Sequence, residues 1–152
     1  MRTSSLRSTT TTLIALSLIA FTMLTGAAFA NAAATCYGST CTGQDPNARG
    51  CAADARTLAE YTYSARFELR YSPACHAAWT RVTSATTYNT IFAQINGYTT
   101  KPTSIGAPAA RTYGAQVVAG QTWTAMVSFD YWVRGCTATW FTATPHTCTG
   151  TF

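Results

Sequence analysis

FELRYSPACHAAWTRV, residues 67–82, holds two strand patterns around a turn. In its first five residues Phe67, Leu69 and Tyr71 alternate with Glu68 and Arg70. A period of two puts three apolar side chains on one face and two charges on the other, which is the pattern of a half-buried strand. SPAC follows, with Pro73 where a turn profits from its fixed φ. AAWTRV, residues 77–82, then resumes as the next strand. Strand, tight turn and strand make an antiparallel pair, and the rest of the chain reads in the same way.

Downstream, YNTIFAQI (88–95) is a further strand, and Asn96-Gly97 after it is a strong hairpin signal. TTKPTSIGAPAA (99–110) is too rich in Pro and Gly for regular structure, and ARTYGAQVV (110–118) suits a short edge strand. TWTAMVSFDY (122–131) reads as one long strand, with Trp123, Ala125, Val127, Phe129 and Tyr131 on a single face. TATWFTA (137–143) would return antiparallel to it. Trp132 breaks the alternation after Tyr131, as at an edge or bulge. Upstream, AADARTLAEY (52–61) fits a short helix or the start of a strand, and periodicity does not choose. Threonine, which is β-branched and favours strands, occurs 23 times after residue 30. The expected fold is all-β, a small disulfide-stapled antiparallel β-sandwich or barrel.

The first thirty residues are of another kind. Arg2 and Arg7 precede an apolar run of twelve residues, Leu13 to Leu24. A bilayer-spanning helix needs ~20. Ala28, Phe29 and Ala30 then supply an A-x-A site, so residues 1–30 are expected to be a secretory signal peptide, cleaved after Ala30 or Ala34. A retained membrane anchor and a lipoprotein signal at Cys36 are the competing readings; Thr35 stands where the latter wants a small residue such as Gly or Ala. Cleavage after Ala30 leaves 122 of the 152 residues as one secreted β domain, 31–152. With Arg2 and Arg7 gone, the formal net charge falls from +5 to +3. Its Lys and Arg are scattered rather than clustered, which argues against a nucleic-acid partner.

All six cysteines, Cys36, Cys41, Cys51, Cys75, Cys136 and Cys148, lie after the leader. Exported thiols meet an oxidising environment, so an even set reads as a disulfide framework. Close C-x₂₋₄-C pairs in duplicate, which a structural zinc site uses, are missing, as is a C-x-x-C redox motif. Six cysteines allow fifteen connectivities. Neighbours along the chain close the shortest loops, giving Cys36–Cys41, Cys51–Cys75 and Cys136–Cys148 as the expected set. No metal or other cofactor is expected.

Two longer motifs carry a family resemblance. CYGSTCTGQDPNARGCAADARTL (36–58), followed by FELRYSPACHAAWTRV, resembles the YjfA-like small secreted bacterial proteins, a domain of unknown function. The matching pattern is C-x-G-x-x-C-x-G-x-D-P-x-x-x-G-C-x-x-D-A, then E-L-R-Y-S-x-x-C and A-A-W, with Cys136, Cys148 and Thr149 as its closing residues. The resemblance is closest over 36–82. It implies an exported, disulfide-bonded domain of Gram-positive bacteria, mostly actinomycetes. In some relatives a similar domain looks to be fused behind a DNA-binding regulator and a membrane helix. This sequence is expected to depart from that arrangement, since its first thirty residues read as a cleavable leader rather than as part of a regulator. The resemblance supplies no catalytic residues.

The residues themselves offer little chemistry. His76 sits in the Cys75 turn and His146 follows Pro145; either would need a serine such as Ser72 as partner. G-x-S-x-G, H-E-x-x-H and a phosphate loop are all missing. The carboxylates, Asp45, Asp54, Glu60, Glu68 and Asp130, read better as turn acceptors and ion pairs than as a glycosidase pair. Asp45, Asn47 and Asp54 would give a calcium ion oxygen ligands, but without the D-x-D-x-D-G density of a calcium loop. Aromatics are in surplus: Trp79, Trp123, Trp132 and Trp140 accompany eight tyrosines. Aromatic faces stack on sugars or anchor protein partners. Trp79 and Trp123 suit a core, whereas Trp132 suits the surface. The candidate binding residues are therefore Trp132, Asp45, Asp54 and Arg70, and no catalytic residue is assigned. The expected role is a monomeric, non-catalytic secreted module for a cell-wall glycan or an extracellular protein. A small secreted hydrolase built on His76, Ser72 and the carboxylates is the alternative. An inhibitor or toxin-like effector presenting the 99–110 loop is the third.

Overall fold

The computed structural model describes residues 33–103, 109–112, 116–139 and 142–152. Residues 1–32, Trp140, the centre of the 99–110 loop and the side chain of His146 lie outside the described residues. Among those residues the chain is all-β apart from one 3-10 turn, Gly38–Cys41. No helix among them is long and apolar enough to cross a membrane.

The strands are β1 (Arg56–Tyr63), β2 (Ala65–Ser72), β3 (Ala77–Ser84), β4 (Ile91–Tyr98), β5 (Ala110–Thr112), β6 (Gly120–Trp123), β7 (Val127–Ser128), β8 (Trp132–Thr139) and β9 (Thr142–Cys148). They form two antiparallel sheets. The first runs β1-β2-β3-β6, with β7 also on β3; the second runs β5-β4-β8-β9. Leu69, Ala78, Ile95, Val127 and Val133 meet between the sheets, and Phe67, Val82, Ala93 and Val117 extend that core. Burying a side chain of this size contributes about 1.5–3 kcal/mol.

The three bridges are Cys36–Cys41, Cys51–Cys75 and Cys136–Cys148. The first two fix the 36–51 loop against the outer face of the first sheet, where their sulfurs pack with Trp79 and Met126. The third joins directly paired residues of β8 and β9.

FELRY and AAWTRV are neighbouring strands, with Phe67 opposite Val82 and Leu69 opposite Thr80. Phe67 and Leu69 are wholly enclosed, but so is Glu68 between them, so this strand is covered on both faces there rather than half-buried. AADARTLAEY resolves as strand, since its second half lies in β1.

Three expectations are corrected. Asn96-Gly97 is not a hairpin turn; both residues lie inside β4, opposite Arg134 and Val133 of β8. A Cβ on Gly97 would come within 2.9 Å of Tyr131 Cβ and Val127 Cγ1, so glycine is there for close packing, not for turning. TWTAMVSFDY is not one strand. Between β6 and β7 the Thr124 N–H donates to the Thr80 carbonyl while the Thr80 N–H donates to Thr124 Oγ1. The Met126 N–H leaves the sheet for the Gln44 carbonyl, and the Met126 carbonyl accepts from the Gly43 N–H. At Met126 the 36–51 loop has replaced β3 as the backbone partner. TATWFTA likewise is not a single returning strand: Thr137–Thr139 ends β8, and Thr142 begins β9.

Candidate functional site

Strand register assembles the outer face of the first sheet. Glu60 lies opposite Glu68, Glu68 opposite Arg81, and Arg81 opposite Trp123. One row thus crosses four strands. Beside it Arg70 lies opposite Trp79.

Glu68 is the pivot and is only 1% exposed. It accepts from Arg81 Nε at 2.8 Å and Nη2 at 2.9 Å, and from Thr57 Oγ1 at 3.0 Å. Arg66 and Arg70 stand 3.6 and 4.0 Å from the same carboxylate. Burial acts to raise its pKa, but the bonds from Arg81 and Thr57 and the charges of Arg81 and Arg66 outweigh it and hold the carboxyl below its usual range. Arg70 is fixed in turn: its guanidinium donates to Thr57 Oγ1 at 2.6 Å and to the Ala55 carbonyl at 2.7 Å.

Above this row lies a groove of about 230 Å³, lined by Asn47, Ala52, Arg70, Trp79, Arg81, Gln121 and Trp123. Trp79 is buried and forms its floor; Trp123 is half-exposed at its edge. The Trp123 indole N–H donates to Asp45 Oδ2 at 2.8 Å. Asp45 Oδ1 accepts the backbone N–H groups of Asn47 and Ala48, both at 2.8 Å. The 45–48 turn therefore serves two ends: it shapes the loop and locks an indole.

Asp45 carries a pH prediction. Burial works to raise its pKa, but the donors Ala48, Trp123 and Asn47 prevail and hold it below the ordinary value. A depressed folded-state pKa means that the bonds contribute fully above about pH 4, the unfolded value, and are lost as pH falls through the lower folded value. The indole's acid transition should therefore lie below about pH 4. It should be visible as a change in tryptophan emission that Asp45→Asn removes. An unchanged transition in that variant would dismiss Asp45 as the lock.

The candidate residues do not converge on one pocket. Arg70 lines the groove and Asp45 braces its rim. Asp54 caps the β2–β3 turn, accepting from Ser72 Oγ at 2.5 Å and from the Ala74 N–H at 2.8 Å. Trp132, 41% exposed, belongs to a separate cleft of about 310 Å³ with Phe129, Asp130, Tyr131 and Phe152. Lys101 Nζ lies 5.4 Å from its ring centroid. Sequence reasoning missed Arg81, Gln121 and Asn47 as groove residues and read Trp123 as core. Nothing local marks them, because only register and loop docking bring them together.

The hydrolase residues are placed differently from a nucleophile and its base. Ser72 Oγ is buried; it donates to Asp54 and accepts the Cys75 N–H. His76 Nε2 lies 3.2 Å from Asp130 Oδ1, and Nδ1 lies 3.4 Å from the Tyr71 hydroxyl. Its ring is stacked with Tyr37 and meets Phe129 edge-on.

Residues 39–139 match the family described as "Protein of unknown function (DUF2690)". The chain belongs to this family. No curated protein and no solved structure matches it. The matched span of the DUF2690 domain begins in the 3-10 turn and ends at the last residue of β8, so it contains every residue of the groove.

Proposed function

We propose that this DUF2690 chain is a non-catalytic, secreted binding module whose ligand is a cell-envelope glycan, held in the Trp79–Trp123 groove. The observation that carries the reading is the Trp123 indole, fixed by Asp45 beside Arg70, Arg81, Asn47 and Gln121. An immobilised aromatic face suits the C–H face of a sugar ring. Guanidinium and amide groups around it suit hydroxyl and carboxylate acceptors, and little ordering is needed on binding. In this reading residues 1–30 are a cleaved signal peptide and 31–152 a monomeric extracellular domain of YjfA-like type from a Gram-positive actinomycete. The exposed Trp132 and Phe152 favour a second role for their cleft, anchoring an extracellular protein partner.

Purified mature protein should be retained on Gram-positive cell walls and on isolated wall glycan. Trp123→Ala and Arg70→Ala should each weaken retention roughly tenfold, about 1.4 kcal/mol. Trp132→Ala should leave glycan retention unchanged. Equal loss in all three variants, or no retention by the parent protein, would refute the groove as a glycan site.

A further inference from the structure

The two bridges of the 36–51 loop lie side by side. The sulfurs of Cys36, Cys41, Cys51 and Cys75 are all within 4.8 Å of one another. Cys36 Sγ is 3.8 Å from Cys51 Sγ, van der Waals contact between atoms of different bridges. Cys41 Sγ is 3.6 Å from the Cys75 carbonyl oxygen. Cys41, Cys51 and Cys75 are wholly enclosed, whereas Cys36 is partly open to solvent. A reductant in solution therefore meets the Cys36–Cys41 bridge first.

We propose that these four sulfurs form one thiol–disulfide exchange site, in which a dithiol reductant entering at Cys36–Cys41 opens the enclosed Cys51–Cys75 bridge. A reductant thiolate attacks Cys36 Sγ, and Cys41 leaves as a thiolate that takes up a proton. The second reductant thiol, giving up its proton, attacks its own sulfur in the mixed disulfide. The reductant departs as a disulfide, oxidised by two electrons, and Cys36 is released as a thiolate. Rotation about the freed Cys36 side-chain torsions brings that thiolate into line with the Cys51–Cys75 bond, and it attacks Cys51 Sγ. A Cys36–Cys51 bond forms, the Cys51–Cys75 bond breaks, and Cys75 leaves with the electron pair and is protonated. This last step is an exchange and needs no further electrons. Its product has one bridge in the cluster and free thiols at Cys41 and Cys75.

The exchange frees the turn before β3 from the loop that carries Asn47 and Ala52 to the groove. It does not depend on what the groove binds. Cys136–Cys148, in the other sheet, is an internal reference.

The test uses the folded protein with limiting dithiothreitol, quenched with N-ethylmaleimide and mapped by mass spectrometry of unreduced peptides. Early species should contain Cys36 linked to Cys51, with label on Cys41 and Cys75. In the Cys36→Ser/Cys41→Ser variant, reduction of Cys51–Cys75 should slow at least tenfold while that of Cys136–Cys148 is unchanged. Label confined to Cys36 and Cys41, with Cys51–Cys75 intact and no Cys36–Cys51 peptide, would overturn the proposal. So would undiminished reduction of Cys51–Cys75 in the variant. If the variant fails to fold, the peptide map of the parent protein decides alone.

Discussion

Replacing Glu68 by Gln is expected to destabilise the protein by about 3 kcal/mol. The carboxylate is enclosed and accepts two bonds from Arg81 and one from Thr57. Arg66 and Arg70 face it as well. A neutral amide leaves three guanidinium groups around a site with no negative charge at its centre. Removing one member of an enclosed ion pair costs about 3–5 kcal/mol, and the partial exposure of Arg81 puts this case at the lower end. The exposed Arg66–Glu60 pair contributes far less, because solvent screens it. Urea unfolding should show the change as a lower midpoint at unchanged slope. Glu68→Gln combined with Arg81→Met should be less destabilised than Glu68→Gln alone, since the second change removes an orphaned cation. A loss under about 0.5 kcal/mol, the size of an ordinary surface substitution, would show that the cluster does not hold the sheet. Because the folded-state pKa of Glu68 is depressed, its contribution is complete above about pH 4.3 and disappears as pH falls through the lower folded value.

Removing the Cys51–Cys75 bridge should have an effect of similar size. Its ends are 24 residues apart, against 5 for Cys36–Cys41 and 12 for Cys136–Cys148. Loop-closure entropy then assigns about 3.5, 2 and 3 kcal/mol respectively. Cys51 and Cys75 are also wholly enclosed against Trp79 and Met126, so alanine at both positions leaves a void as well as a freed loop. The Cys51→Ala/Cys75→Ala variant should therefore lose on the order of 12 °C in Tm, and more than Cys36→Ala/Cys41→Ala. If removing the short bridge proved the more damaging, the loop rather than the sheet turn would be the element the sulfurs secure.

These two expectations differ in how far the sequence announces them. Local features were legible where one segment contains its own reason. Phe67, Leu69 and Tyr71 declare a strand because alternation is a property of consecutive residues. Asp45 declares a turn because its carboxylate reaches the backbone two and three residues on. Neighbouring cysteines were paired correctly because short loops bring their ends together readily. Asn96-Gly97 misled because the same dipeptide serves a turn by its backbone freedom and a strand by its small size. The choice is made by Tyr131 and Val127, some thirty residues away. TWTAMVSFDY misled because its alternation is genuine, yet the backbone of Met126 bonds to the 36–51 loop instead of to β3.

The candidate site shows the same division. Arg70 and Asp45 are legible from sequence as binding residues, whereas Arg81 and Gln121 are not, Asn47 reads only as an oxygen donor for calcium, and Trp123 reads as core. Their meeting is written in register, Glu68 opposite Arg81 opposite Trp123, and register is set by which strands pair.

An all-β, disulfide-stapled chain is readable from residue order alone, because side-chain alternation and cysteine spacing act along the backbone. Folding in three dimensions sets an indole, a floor tryptophan and two arginines in one groove and Trp132 in another cleft. It also puts two bridges in contact through Cys36 and Cys51. These neighbours are brought together by sheet pairing and loop docking, whose free energy comes from burying residues far apart along the chain.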